Sequence, residues 1–138
     1  MTERTLCVIK PDAVSRNRIG AIVKAFEDEK LKVVSARMTL LERSRAEEFY
    51  AEHAGKDFFD RLIEFMTSGP VLALVLEGED AVGRARKVMG ATNPADAAPG
   101  TLRAMYGESV TKNAIHGSDS PRSAVREIDF YFGGEGGG

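Results

Sequence analysis

The segment Asn113-Ala114-Ile115-His116-Gly117-Ser118-Asp119-Ser120 places one of the chain's two histidines at the end of a short apolar run, with a glycine behind it. A neutral imidazole is a competent nucleophile near pH 7 when a neighbour fixes its tautomer and leaves one nitrogen free to attack. Glu127 falls one to two turns into a helix expected to begin after Ser120, so its carboxylate could return to the ring. The glycine after the histidine would leave room for a ligand to approach closely. Two other readings stay open on these residues alone. One is a structural histidine donating to a backbone carbonyl. The other is a hydrolase built from Ser118, His116 and Asp119, which is weaker because triads are assembled in space and adjacent residues rarely satisfy their geometry.

Other residues point to an anionic ligand. Between Arg84 and Lys112 the chain carries Arg84, Arg86, Lys87, Arg103 and Lys112 against Asp96 and Glu108, a local charge of +3 within a chain whose total is −2. Guanidinium groups gathered around an irregular backbone suit phosphate oxygens, which arginine binds in bidentate fashion; a solvated basic face is the plainer alternative. Tyr50 and His53 are three apart and would share a helix face, either as phosphate neighbours or as an amphipathic edge. Phe58 and Phe59 adjoin at a helix start, where one ring can pack inward and the other remain for stacking. Lys10 closes an apolar run just before Pro11, an unusual place for an ammonium without a partner or ligand. A Walker-type phosphate loop, a dinucleotide fingerprint, a calcium loop and the H-E-x-x-H zinc motif are all missing from the sequence.

The elements that must position these groups follow from pattern. Thr5–Lys10 reads as a buried strand stopping before proline. Ile19, Ile22, Val23 and Phe26 recur at helical spacing. From Lys32 the chain alternates, with Val34, Ala36, Met38 and Leu40 expected on the buried side of a strand. Ser44-Arg45-Ala46-Glu47 has capping-box spacing and predicts a helix start. A second helical piece runs from Asp57 to Met66, and Val71–Glu77 is the clearest strand. Asp80 is placed to cap a helix burying Val82, Ala85, Val88 and Met89. After Gly90 a long irregular stretch leads to a short strand over Asn113–His116. Ser120-Pro121 then starts a last helix, expected to bury Ala124, Val125 and Ile128. Two strand–helix–strand units imply a sheet with helices packed on it.

Length and composition bound the rest. The chain has 138 residues, 43% of them apolar and 29% charged, which fits one ordinary globular domain. The expected division is one domain over residues 1–132 and a flexible Gly-rich tail over 133–138. No apolar run is long enough to span a bilayer, and no secretory leader is evident. The single Cys7 cannot form an internal disulfide, and one Cys with two His cannot build a usual zinc site. These features suggest a cytoplasmic protein without membrane association. The charge balance gives no support to nucleic-acid binding.

Taken in order, I-K-P-D-A-V, F-M-T-S-G-P-V, G-A-T-N-P-A-D, P-G-T-L-R and N-A-I-H-G-S-D-S closely resemble the nucleoside diphosphate kinase family, over about Thr5 to Phe132. The resemblance implies an α+β, ferredoxin-like αβ sandwich with a four-stranded antiparallel sheet covered by helices. It implies transfer of a γ-phosphate from a nucleoside triphosphate to a nucleoside diphosphate through a phosphohistidine, in ping-pong fashion. The phosphorylated residue would be His116, through Nδ1, with Glu127 holding the other ring nitrogen and Ser118 linked to Glu127. Arg86, Thr92 and Arg103 would bind phosphates, with Tyr50 and His53 bordering them. Lys10 and Asn113 would bind sugar hydroxyls, and Phe58 and Val110 would sandwich the base, which gives broad base specificity. Mg²⁺ is the implied cofactor, riding on the nucleotide phosphates with no direct protein ligand, and Asp119 at most reaches it through water. A homo-oligomer built from dimers, tetramer or hexamer, is also implied.

Two features depart from the family pattern. Met105 stands where an acidic residue is common, so the loop presenting Arg103 would be looser or its subunit contacts altered. The tail is short and rich in glycine. The alternative of another class is a ferredoxin-like module that binds nucleotide for regulation and catalyses nothing.

Overall fold

The computed structural model describes residues 2–133 of the chain. Among the described residues the strands are β1 (Thr2–Ile9), β2 (Lys32–Thr39), β3 (Val71–Glu79) and β4 (Ile115–Gly117). The helices among these residues are α1 (Pro11–Ser15), α2 (Ile19–Asp28), α3 (Arg43–Phe49), α4 (Phe59–Met66), α5 (Ala81–Met89), α6 (Leu102–Tyr106) and α7 (Pro121–Phe132), with 3-10 turns at Ala51–His53 and Pro94–Asp96. The sheet order is β2-β3-β1-β4 and every paired neighbour is antiparallel. β1 and β2 therefore run parallel with β3 between them, and β3 and β4 run parallel with β1 between them. This is the split arrangement that two interleaved strand–helix–strand units produce.

β1 alternates across the sheet and so serves two cores. Leu6 and Val8 join Phe49, Ile63, Met66 and Tyr131 on the face covered by α3, α4 and α7. Cys7 and Ile9 join Ile22, Phe26, Ala85 and Met89 on the face covered by α2 and α5. His116 pairs with Val8, so its ring lies on the α3–α7 side.

The strand β2 differs from its expected pattern. Val33 pairs with Leu76 and Ser35 with Val75, so Val34 is an extra, bulged residue. A bulge puts two successive residues on one side and exchanges faces beyond it. Val34 packs on the α3–α7 core, whereas Met38 and Leu40 are 52% and 63% exposed. The expected buried face thus turns outward along the sheet edge.

Other starts and stops shifted as well. The helix α3 begins at Arg43 with Glu42 as its N-cap residue, and the box at Ser44 does not form. Asp80 occupies the N-cap position of α5 at φ 47°, but its side chain caps nothing; Glu3 Oε1 from β1 accepts the Val82 N–H at 2.9 Å. The irregular stretch after Gly90 contains α6, which hydropathy did not signal. In α7 the buried stripe is Ala124, Glu127, Tyr131 and Phe132, while Val125, expected inside, is 72% exposed. The expected tail over 133–138 falls, apart from Gly133, outside the described residues. No helix among the described residues is long and apolar enough to cross a membrane.

Candidate active site

The site begins at the start of α7. Ser120 Oγ accepts the Ser123 N–H at 3.1 Å, and Ser123 Oγ accepts the Ser120 N–H at 3.1 Å, a reciprocal cap with Pro121 at the first helical position. The cap fixes the phase of the helix, and that phase aims Glu127 into the protein. A buried carboxylate is tolerated only with hydrogen-bonding partners. Glu127 Oε1 has two: the His116 Nε2 at 2.8 Å and the Ser118 hydroxyl at 2.8 Å, while Arg126 stands 3.5 Å from Oε2. Burial alone would raise the Glu127 carboxyl, but the bonds from His116 and Ser118 and the charge of Arg126 outweigh it and hold it below its ordinary value. It therefore stays an acceptor.

The His116 ring is wedged edge-on against Phe49 and Tyr50, at centroid distances of 5.2 and 6.1 Å. With Nε2 engaged by Glu127, Nδ1 is left without a protein hydrogen bond among the described residues. Gly117 is explained differently from the expectation. A Cβ there would lie 2.6 Å from the Met89 thioether, so the missing side chain admits buried Met89 from α5 beneath β4.

His116 opens onto a cavity of about 530 Å³. Lys10, Tyr50, His53, Phe58, Arg86, Thr92, Arg103, Val110, Asn113, Asp119 and Glu127 share its wall, so the structure gathers these sequence candidates in one place; Ser118 sits behind, on Glu127. Residues 50 and 53 reach it from the end of α3 and the turn that follows, with their rings stacked 6.4 Å apart. Phe58 comes from the start of α4, and Val110, also in the lining, is 54% exposed.

The basic stretch divides. Arg103 is buried on α6, with Nη1 donating to Gly90 O at 2.9 Å and Nη2 to Ile115 O at 2.7 Å. Its Nε is buried without a partner, as is the Tyr50 hydroxyl. Burial, then the nearby Arg86 charge, lowers the Arg103 guanidinium to about 10. Arg86 reaches toward Gly117 O at 3.5 Å. Arg84 turns away to the carbonyls of Glu79 and Glu29, and Lys87 and Lys112 do not line the cavity, so for these three the solvated or structural reading holds. Met105 is 52% exposed, yet the two carbonyl anchors of Arg103 are in place.

Also in the lining, Lys10 Nζ donates to Asn113 Oδ1 at 2.7 Å, and Asn113 Nδ2 donates to Thr92 O at 2.9 Å. Burial, reinforced by Arg103, pushes the Lys10 ammonium down to about 7 despite the opposing Asp12. Asp119 accepts from Ser123 Oγ at 2.8 Å, and this bond above all keeps its carboxyl below the ordinary value. Glu52, Arg61, Leu62 and Thr111 also line the cavity and were not anticipated. Arg61 and Leu62 could have been found from Phe58, since residues three and four along a helix share its face.

Residues 3–136 match the family model for nucleoside diphosphate kinase. The chain belongs to the nucleoside diphosphate kinase family. Its fold superposes on the Aquifex aeolicus nucleoside diphosphate kinase with a TM-score of 0.94 at 45% identity, covering 97% of each chain. It also superposes on the ligand-free nucleoside diphosphate kinase of Encephalitozoon cuniculi with a TM-score of 0.92 at 42% identity, covering 95% of this chain and 89% of that one. The ferredoxin-like, four-stranded architecture is thus that of these nucleoside diphosphate kinases, and the chain is a nucleotide-binding phosphotransferase of that kind rather than a non-catalytic module.

Proposed function

We propose that His116 carries the phosphoryl group between the two nucleotides. The observation that supports this most is the bond between His116 Nε2 and a Glu127 carboxylate that is itself fixed by Ser118. A proton on Nε2 leaves the lone pair on Nδ1, beside the cavity. The Nδ1 lone pair attacks the γ-phosphorus of a nucleoside triphosphate, the bond to the bridging oxygen breaks, and the diphosphate leaves with that electron pair. Positive charge developing on the ring is met by Glu127. An incoming diphosphate then takes the group by the reverse displacement, so one pocket serves donor and acceptor in turn.

Phosphoryl transfer depends on positioning and on neutralising the phosphate oxygens. Arg86, Arg103 and Thr92, which line the cavity, supply that contact. Lys10 and Asn113, already bonded to each other, are set for sugar hydroxyls. Phe58 and Val110 present apolar surface to either side of a base, which accommodates every base because each has a stacking face. Among the described residues no three acidic, His or Cys groups cluster to hold a metal, so Mg²⁺ fits as an ion carried by the phosphates, with ionised Asp119 reaching it through water. Its charge would offset that of the oxygens during transfer.

The exposed Met38 on the edge strand β2 and Leu40 just beyond its end support assembly from dimers, since an apolar edge left open invites pairing with a second copy. Cytoplasmic residence is consistent with one buried thiol and no membrane-crossing helix among the described residues.

The decisive experiment is incubation with γ-labelled ATP and Mg²⁺, followed by mapping of acid-labile label. Label on His116, with loss of at least about 1,000-fold in activity for His116→Asn, is the expected result. Label elsewhere, or activity retained in that variant, removes the proposal.

A further inference from the structure

We propose that Asp12 is a positioning residue for the sugar side of this pocket, holding the turn at Ala114 so that Asn113 and Lys10 meet the sugar hydroxyls together. The inference rests on the reading that Lys10 and Asn113 bind those hydroxyls.

Lys10 and Asp12 flank Pro11 at the start of α1, and the two of them clamp both polar groups of the Ala114 backbone. The Lys10 N–H donates to Ala114 O at 2.9 Å, and Asp12 Oδ2 accepts the Ala114 N–H at 3.1 Å. Ala114 is fully buried and has φ 77°, a region that residues with a Cβ seldom occupy. Such a conformation persists only where the surroundings over-determine it. On one side of the turn, Asn113 is directed at Lys10 Nζ and Thr92 O. On the other, Ile115 O is held by Arg103. With Asp12 gone, the buried Ala114 N–H would have no acceptor and the turn would relax toward ordinary backbone, swinging Asn113 off Lys10. Asp12 itself is only 8% exposed and does not line the nucleotide cavity, so it touches no substrate and acts through the turn, beside the charge it sets against Lys10. Arg16, 3.8 Å from the same oxygen, helps keep the carboxylate in place.

The substrate itself separates positioning from general support. Steady-state kinetics with GTP as donor would compare ADP and 3′-deoxy-ADP as acceptors for the wild type, Asp12→Ala, Asp12→Asn and Asp12→Glu, with thermal unfolding of each. The wild type is expected to prefer ADP. Asp12→Ala should lower kcat/KM for ADP about tenfold and for 3′-deoxy-ADP less than about twofold, so the preference collapses. Asp12→Asn keeps an oxygen that can accept the Ala114 N–H and should restore most of the preference. Asp12→Glu keeps the charge but displaces the acceptor by one methylene, and should lose the preference even if Asp12→Ala does not fold. An equal loss on both acceptors, or a preference that survives in both Asp12→Ala and Asp12→Glu, overturns the proposal while leaving the sugar contacts standing. A wild type indifferent to the 3′-hydroxyl overturns the sugar reading and the proposal with it.

Discussion

Lys10 carries a charge that its surroundings oppose until an anion arrives. Burial and the Arg103 charge lower its ammonium to about 7, whereas in the unfolded chain it holds its proton to about 10.5. Between those values the unfolded state binds more protons, so the Lys10 contribution to stability rises with pH across that window, and its cost is fully present below about 7. Nucleotide phosphates would restore the charged form. ADP binding at pH 8 should therefore take up most of one proton per site, read by calorimetry in two buffers of different ionisation enthalpy, and the uptake should vanish in Lys10→Met. Uptake unchanged in that variant would mean another group is titrating. Lys10 was readable from the sequence because an ammonium ending an apolar strand needs a partner. Asp12 was not, because its role depends on a backbone turn at Ala114, about a hundred residues further along the chain.

At the level of elements, Gly90 joins α5 to the pocket. Its φ of 87° is open to glycine, a Cβ there would run into the Thr101 side chain, and its carbonyl accepts from Arg103. Gly90→Ala should cost about 2 kcal/mol or more in urea unfolding and lower kcat as Arg103 loses its anchor. A variant as stable and as active as the wild type would show that the join is tolerant. The order of strands and long helices was legible because Ile22, Phe26, Leu74 and Leu76 repeat at the periods that burial demands. The bulge at Val34 was not, since one inserted residue leaves the alternation of types intact while exchanging the faces. Val125 misled for a related reason: hydropathy ranks it above Glu127, but the carboxylate is needed inside by His116 and Ser118. The helix α6 has five residues, too few to show a period.

For the whole molecule, the outward-facing Met38 and Leu40 set the assembly prediction. Light scattering should give a wild-type mass that is an even multiple of 15.0 kDa, and Met38→Glu with Leu40→Glu should reduce it to smaller species. A monomeric wild type would remove the dimer from the account. The pocket itself joins distant parts of the chain. Lys10 and Asn113, 103 positions apart, share a hydrogen bond, and β1 must pair with β4 before His116 faces Glu127. Contacts so remote along the chain are slow to close. A chain diluted from denaturant would accordingly gain its helical content well before it turns over any nucleotide, and the return of catalysis would time the docking of the final strand.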